Sequence, residues 1–349
     1  MPILDLDRTT GLPFTARGPV SSALLACLAG EPGAGTAELP ALAAEAAEHA
    51  DAIRDDDIQL ALFTLYALAY GSVDQFGEEW EWDIDLIRTR TILEAAFEAS
   101  LREVVPVPEL PEAGADAVAA SLFELTAPTP GPSLSRFLAK KASREQVLEF
   151  LAQRSVYSLR EADAHSWTIP RLTGRAKAAL LEIQSDEYGG GRVDRMHQLI
   201  YARTLRGAGL DDTYGAYVDH VPAIVLASFN LMTMFGLNRR LRGASVGHLA
   251  AFEMTSSIPC RSYAEGLRRV GFGDDVADYY DEHVEADAVH EQIAGRDLAG
   301  SLAEDEPRLL PDILFGASAC LTIDGWAAEA MLEAFERGES SLRHPLEVA

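Results

Sequence analysis

In DEHVEADAVHE (281–291), His283, Asp287 and His290 stand at positions i, i+4 and i+7. A helix turns by about 100° per residue, so their directions fall at 0°, about 40° and about −20°. They form one narrow stripe roughly two turns long. Two imidazoles with a carboxylate between them can hold two metal ions side by side, and that mixture of donors suits iron better than zinc or calcium. Glu285 points about 160° away from Asp287, and Glu282 and Glu291 lie on the flanks, so these three read as solvated helix faces. Taken alone, the stripe is also compatible with a charged surface helix. The residues upstream decide between the two readings.

Glu253 sits in GHLAAFEMTSS (247–257), which is apolar or small on most sides. A glutamate in such surroundings is costly unless it is paired or bound to a metal. His248 lies about 140° around the same helix from Glu253, and it reads as the partner of a local hydrogen bond. In IQSDEYGGGRVDRMHQ (183–198), Glu187 closes a helix before Gly189, Gly190 and Gly191, and His197 follows on the next one. Glycine readily ends a helix in the left-handed conformation, and irregular backbone between two polar residues can aim both at one point. Asp186 is the competing carboxylate and ranks below Glu187. Glu161 and His165, in SLREADAHSW (158–167), form a further i, i+4 pair, which a surface helix would also explain.

Around these segments the 349-residue chain reads as all-α. Apolar residues recur at spacings of three and four, and alternating strand patterns are almost absent. Helices are expected over 19–29, 37–53, 56–71, 83–104 and 113–126, forming an N-terminal subdomain (1–130). The Pro-, Ser- and Thr-rich segment 126–135 marks the boundary. Further helices are expected at 133–140, 143–165, 174–188, 193–207, 211–235, 237–258, 261–270, 274–295 and 305–337. These form the domain that holds the chemistry (131–340), followed by a frayed tail (341–349). Ser143 and Gln146 form a capping-box pattern, and Asp211 and Asp274 are suited to N-caps. VPAIVLASFNLMTMFGL (221–237) contains Pro222, Ser228 and Asn230, and is expected to be a buried core helix instead of a membrane span.

The net charge of −26 repels phosphate backbones, so nucleic acid is not expected as a partner. Cys27, Cys260 and Cys320 are scattered and odd in number, which argues against a disulfide framework or a cysteine-based zinc site. With no signal peptide in MPILDLDRTTGLPF, a cytoplasmic location follows as the expectation. EEWEWD (78–83) reads as a packing surface or a homodimer surface.

The ordered set Glu161, Glu187, His197, Glu253 and His283-x3-Asp287-x2-His290 resembles the haem-oxygenase-like di-iron oxidases, often called iron-containing redox enzymes. EADAHSW, EIQSDEYGGGR, GHLAAFEMTSS and DEHVEADAVHEQI are similar to the actinobacterial branch of that family. The likeness runs over roughly 135–335. It implies a haem-oxygenase-like helical bundle without haem. It also implies that Glu187, His197, Glu253, His283, Asp287 and His290 are iron ligands, with Glu161 as an additional carboxylate. In that reading His197 and His283 serve one iron; Glu253, Asp287 and His290 serve the other, more loosely held one; and Glu187 binds or bridges. The implied activity is reduction of dioxygen, the co-substrate, through a peroxo-diferric species. Electrons come from an external donor, and a small amine, amino acid or carboxylic acid is oxidised by N-oxygenation or by C–H or C–C oxidation. A carboxylate substrate needs a cationic anchor, for which Arg154, Arg160, Arg171 and Arg242 are available, though each also reads as a surface ion pair. The rival classes are a non-catalytic iron-binding or regulatory bundle and a haem-degrading enzyme. The latter would need a proximal histidine and no carboxylate cluster.

Overall fold

A computed structural model describes residues 14–49 and 51–346, without the side chains of 285–289. Among the described residues the structure is all-α and contains no strand. The helices in chain order are α1 (Pro19–Leu28), α2 (Leu39–His49), α3 (Asp56–Tyr70), α4 (Ile84–Val104), α5 (Ala115–Leu125), α6 (Leu134–Lys140), α7 (Arg144–Ser158) and α8 (Asp163–Ser166). They continue with α9 (Gly174–Glu187), α10 (His197–Ala208), α11 (Ala223–Leu237), α12 (Arg242–Thr255), α13 (Ser257–Arg269), α14 (Asp274–Gln292), α15 (Ser301–Asp305) and α16 (Leu310–Glu336). A π-helical stretch, Ile293–Gly300, joins α14 to α15.

Local chemistry explains several boundaries. At the start of α7, Gln146 N–H donates to Ser143 Oγ at 3.2 Å and Ser143 N–H donates to Gln146 Oε1 at 3.0 Å, which is the expected capping box. Four expectations are corrected. The helix expected over 211–235 starts only at Ala223, because proline disfavours helical backbone at the residue before it and Pro222 lacks an N–H. Asp211 therefore caps a turn, accepting from Thr213 N–H at 2.8 Å. Gly273, not Asp274, is the N-cap of α14. The helix expected over 143–165 stops at Ser158, and α8 is a separate turn of helix.

The largest cluster of buried side chains joins Leu24, Phe63, Tyr66 and Phe97 to Phe229 and Phe235 on α11 and Phe315 on α16, and so runs across residue 130. Within it, Asn230 of α11 is fully buried and donates to Gln59 O at 2.9 Å and Gln59 Oε1 at 2.8 Å. These bonds satisfy the amide nitrogen and offset part of the cost of placing an amide in an apolar helix. No helix is long and apolar enough to cross a membrane among the described residues. α12 packs closely against α16. A Cβ at Gly247 would strike the Ile313 carbonyl, and one at Gly316 would strike the Ala244 carbonyl. These glycines let the two backbones approach, and the α12–α16 pair holds Glu253 in a fixed place beside α14.

Candidate metal centre

The centre is assembled from five segments. Glu161 lies in the turn between α7 and α8, Glu187 ends α9, His197 begins α10, Glu253 lies on α12, and His283 and His290 lie on α14. All six are buried. One ligand atom each from Glu161, Glu187, His197 and His283 lies within 4.8 Å of the others, and the same holds for Glu187, Glu253 and His290. Glu187 belongs to both groups. Of the residues expected from the sequence, six come together; the side chain of Asp287 lies outside the described ones.

The glycine run explains how Glu187 and His197 meet. Gly189, Gly190 and Gly191 have φ of 67°, 60° and 80°, in the left-handed region. At Gly189 a Cβ would stand 2.6 Å from the Arg195 carbonyl carbon, so only glycine lets the loop fold back this closely. His197 Nδ1 thereby reaches 3.1 Å from Glu187 Oε2 and 3.7 Å from Glu161 Oε1.

Tyr279 organises a second part of the centre. Its hydroxyl donates to Glu161 Oε2, while its carbonyl accepts a 2.7 Å hydrogen bond from His283 Nδ1. The latter bond fixes the tautomer, leaving the Nε2 lone pair of His283 free, 3.8 Å from Glu161 Oε2. Tyr279 precedes His283 by four residues, so the spacing argument used for the stripe would have found it. His290 lies with Nδ1 3.2 Å from Glu253 Oε2 and Nε2 2.9 Å from Asp186 Oδ2. Asp186, the lower-ranked carboxylate, thus touches the centre from its solvent side, with 60% of its side chain exposed. His165 does not join the centre: its Nε2 lies 3.2 Å from His248 Nδ1, the local partner expected for His248.

The buried carboxylates and imidazoles of the centre set one another's charge. Burial, then the Glu187 charge, raises the pKa of Glu161 well above the carboxylate range, and burial raises that of Glu253. For Glu187, burial pushes upward but His197 outweighs it, with help from His283 and His290, and holds it at about 2. Burial opposes charge on His197 and His290 too. Glu187 overrides it at His197, raising the pKa to about 10, and Glu253 with Asp186 does so at His290, raising it to about 9. Burial, then the neighbouring His197, lowers His283 to about 4. Protons on His197 and His290 therefore supply the positive charge that the carboxylates require.

The residues fit a bound metal ion. Glu161 Oε1, Glu187 Oε2 and His197 Nδ1 are buried yet lack a properly directed hydrogen-bond partner. Such atoms are costly, and a cation among them would satisfy all three. The donors are carboxylates and imidazoles without thiolate, a set that suits iron.

Fold and site together define a helical-bundle protein with a candidate carboxylate–histidine metal centre inside its core. A family model described as "Iron-containing redox enzyme" matches residues 148–325, which include all the residues of the centre. The chain belongs to this family of iron-containing redox enzymes, with its all-α, haem-oxygenase-like fold. Two crystal structures of a CADD-like protein of unknown function from Nostoc punctiforme are similar to it. One is 13% identical and covers 64% of this chain and 97% of that one, with a TM-score of 0.49. The other is 15% identical and covers 63% and 97%, with a TM-score of 0.49. No curated protein matches the chain.

Proposed function

We propose that this protein is a di-iron oxygenase or oxidase that uses dioxygen to oxidise a small amine, amino acid or carboxylic acid. The observation that carries this reading is the pair of overlapping ligand groups with Glu187 common to both. Glu161, Glu187, His197 and His283 would hold one iron; Glu187, Glu253 and His290 would hold the other, and the family resemblance makes Asp287 a further candidate ligand. A bound ferrous pair supplies electrons to dioxygen and so activates it for oxidation of a substrate.

The chain's own residues prepare the centre. Glu187 faces both ligand groups, and the glycine loop turns His197 back towards it. Tyr279 orients both Glu161 and His283, so one side chain from the turn and one from α14 present their free atoms to the same point. His197 and His290 release their protons as cations enter. Tyr157 and Phe252, stacked with ring centroids 5.1 Å apart and an interplanar angle of 6°, limit access of water from the side of α7 and α12. An external donor restores the electrons used in each turnover.

The test is anaerobic loading with ferrous iron, then exposure to oxygen with a panel of amines, amino acids and acids. Oxygen consumption accelerated by a panel member, with an oxidised product in the mass spectrum, is the expected result. Iron uptake with no oxygen consumption under any condition would instead make this an iron-binding bundle without turnover.

A further inference from the structure

A cavity of about 310 Å³ lies between α7, α11, α12, α13 and α16, with Tyr157 and Phe252 in its wall. That volume is within the range of small-molecule sites. Its walls are largely apolar, with Phe150, Val156, Leu321 and Met331 among them. Tyr157 lies one helical turn before Glu161, and Phe252 is adjacent to Glu253. Two of the helices that wall the cavity, α7 and α12, thus also lead to two residues of the candidate metal centre, Glu161 and Glu253.

Two opposite charges face this cavity. Arg154 of α7 has its guanidinium 4.8 Å from the centre of the Tyr157 ring, and its buried Nε has no hydrogen-bond partner. Among the described residues no carboxylate is within ion-pair distance of it. Asp324 of α16 also lines the cavity and accepts a hydrogen bond from Ser228 of α11. Arg154 and Asp324 dominate each other's electrostatics after burial itself, yet do not touch. A guanidinium and a carboxylate that share a largely apolar cavity without forming an ion pair are poorly satisfied by each other and by the walls. A ligand carrying one charge of each sign would complete both. An anion alone would leave Asp324 facing it, and an amine alone would leave Arg154 uncompensated. Gly325 also lines the cavity and is exposed, and an added Cβ there would meet nothing within 4 Å, so the cavity is open at this end.

We propose that this cavity binds an α-amino acid with an apolar side chain, its carboxylate on Arg154 and its ammonium on Asp324. The proposal narrows the substrate class of the function proposed above and rests on it for the word substrate, but the binding itself needs no iron. Arg154 is thus a half-buried anchor with a buried Nε, unlike the surface ion pair that its sequence context also allowed.

The test is calorimetric titration of the metal-free and iron-loaded full-length protein with L-phenylalanine, L-leucine, 3-phenylpropanoate and 2-phenylethylamine. At least one of the two amino acids should bind at least tenfold more tightly than both single-charge probes, in both forms of the protein. Arg154→Gln and Asp324→Asn should each weaken that binding at least tenfold. Gly325→Leu, which fills the space without touching either charge or the helical hydrogen bonds, should abolish it while the circular dichroism spectrum is preserved. The proposal is overturned if neither amino acid binds, if 3-phenylpropanoate binds as tightly as L-phenylalanine, or if folded Gly325→Leu protein binds unchanged. Amino-acid binding in a protein that consumes no oxygen would uphold the site and remove only the oxidase reading.

Discussion

His283 shows how one side chain is readied for a metal. Its Nδ1–H is committed to the Tyr279 carbonyl, burial keeps the ring neutral, and Nε2 is left with its lone pair directed into the centre. His197 and His290 are prepared differently, each holding a proton against a carboxylate with pKa values raised to about 10 and about 9. The sign follows: both are protonated below these values, so a cation must displace protons to bind, and apparent iron affinity should rise with pH between about 6 and about 9. Titrating ferrous iron anaerobically in buffers of different ionisation enthalpy will measure this; proton release at pH 7 is expected, and a buffer-independent heat would contradict it. His290→Ala removes the imidazole of the Glu187–Glu253 group alone. A colorimetric iron assay should find the content halved with helicity intact, and full occupancy would refute the role of His290. At this scale much was legible: His283 and His290, one face of a helix in the sequence, and the apolar context of Glu253 pointed to the cluster the structure assembles. Asp186 was harder to rank, because neighbouring carboxylates at a helix end differ only in how the following loop turns them.

Helix ends, more than helix middles, position the site. Glu187 is the last residue of α9, His197 the first of α10, and Glu161 sits just past α7. Gly189→Ala would have to place a methyl group against the Arg195 backbone in a left-handed conformation. The conformational cost alone is roughly 1–2 kcal/mol, and relieving the contact would move His197. Iron affinity should fall at least about tenfold, equivalent to about 1.4 kcal/mol. Gly190→Ala meets nothing within 4 Å and should cost only the conformational term. Equal iron affinities in the two variants would show that the loop does not aim the ligands. The glycine run announced this loop in the sequence, and Pro222 announced the late start of α11. The end of α7 had no such sign: Leu159 and Arg160 are ordinary helix formers, and the break comes from packing of the turn against α9 and α14. That is why Glu161 and His165, read as one helical face, part company, with His165 turning to His248.

Across the whole molecule, one core ties the N-terminal helices to α11 and α16, and the acidic balance is spread over the chain. A net charge of −26 makes the folded state repel itself. Raising ionic strength from about 10 mM to about 150 mM shortens the Debye length from about 30 Å to about 8 Å, so the melting temperature of the metal-free protein should rise along a sodium chloride series. A flat or falling series would mean that local ion pairs, such as Arg268 with Asp274 and Asp281, dominate instead. The all-α class was legible throughout because its periodicity repeats in every segment. The joining of residues 14–105 to α11 was not, since contacts between distant helices leave no local pattern. The most direct measurement of the central claim is anomalous diffraction at the iron edge from crystals loaded anaerobically with ferrous iron. Two peaks flanking Glu187 are expected, one beside Glu161, His197 and His283 and the other beside Glu253 and His290. A single peak, or iron bound away from Glu187, would contradict the account.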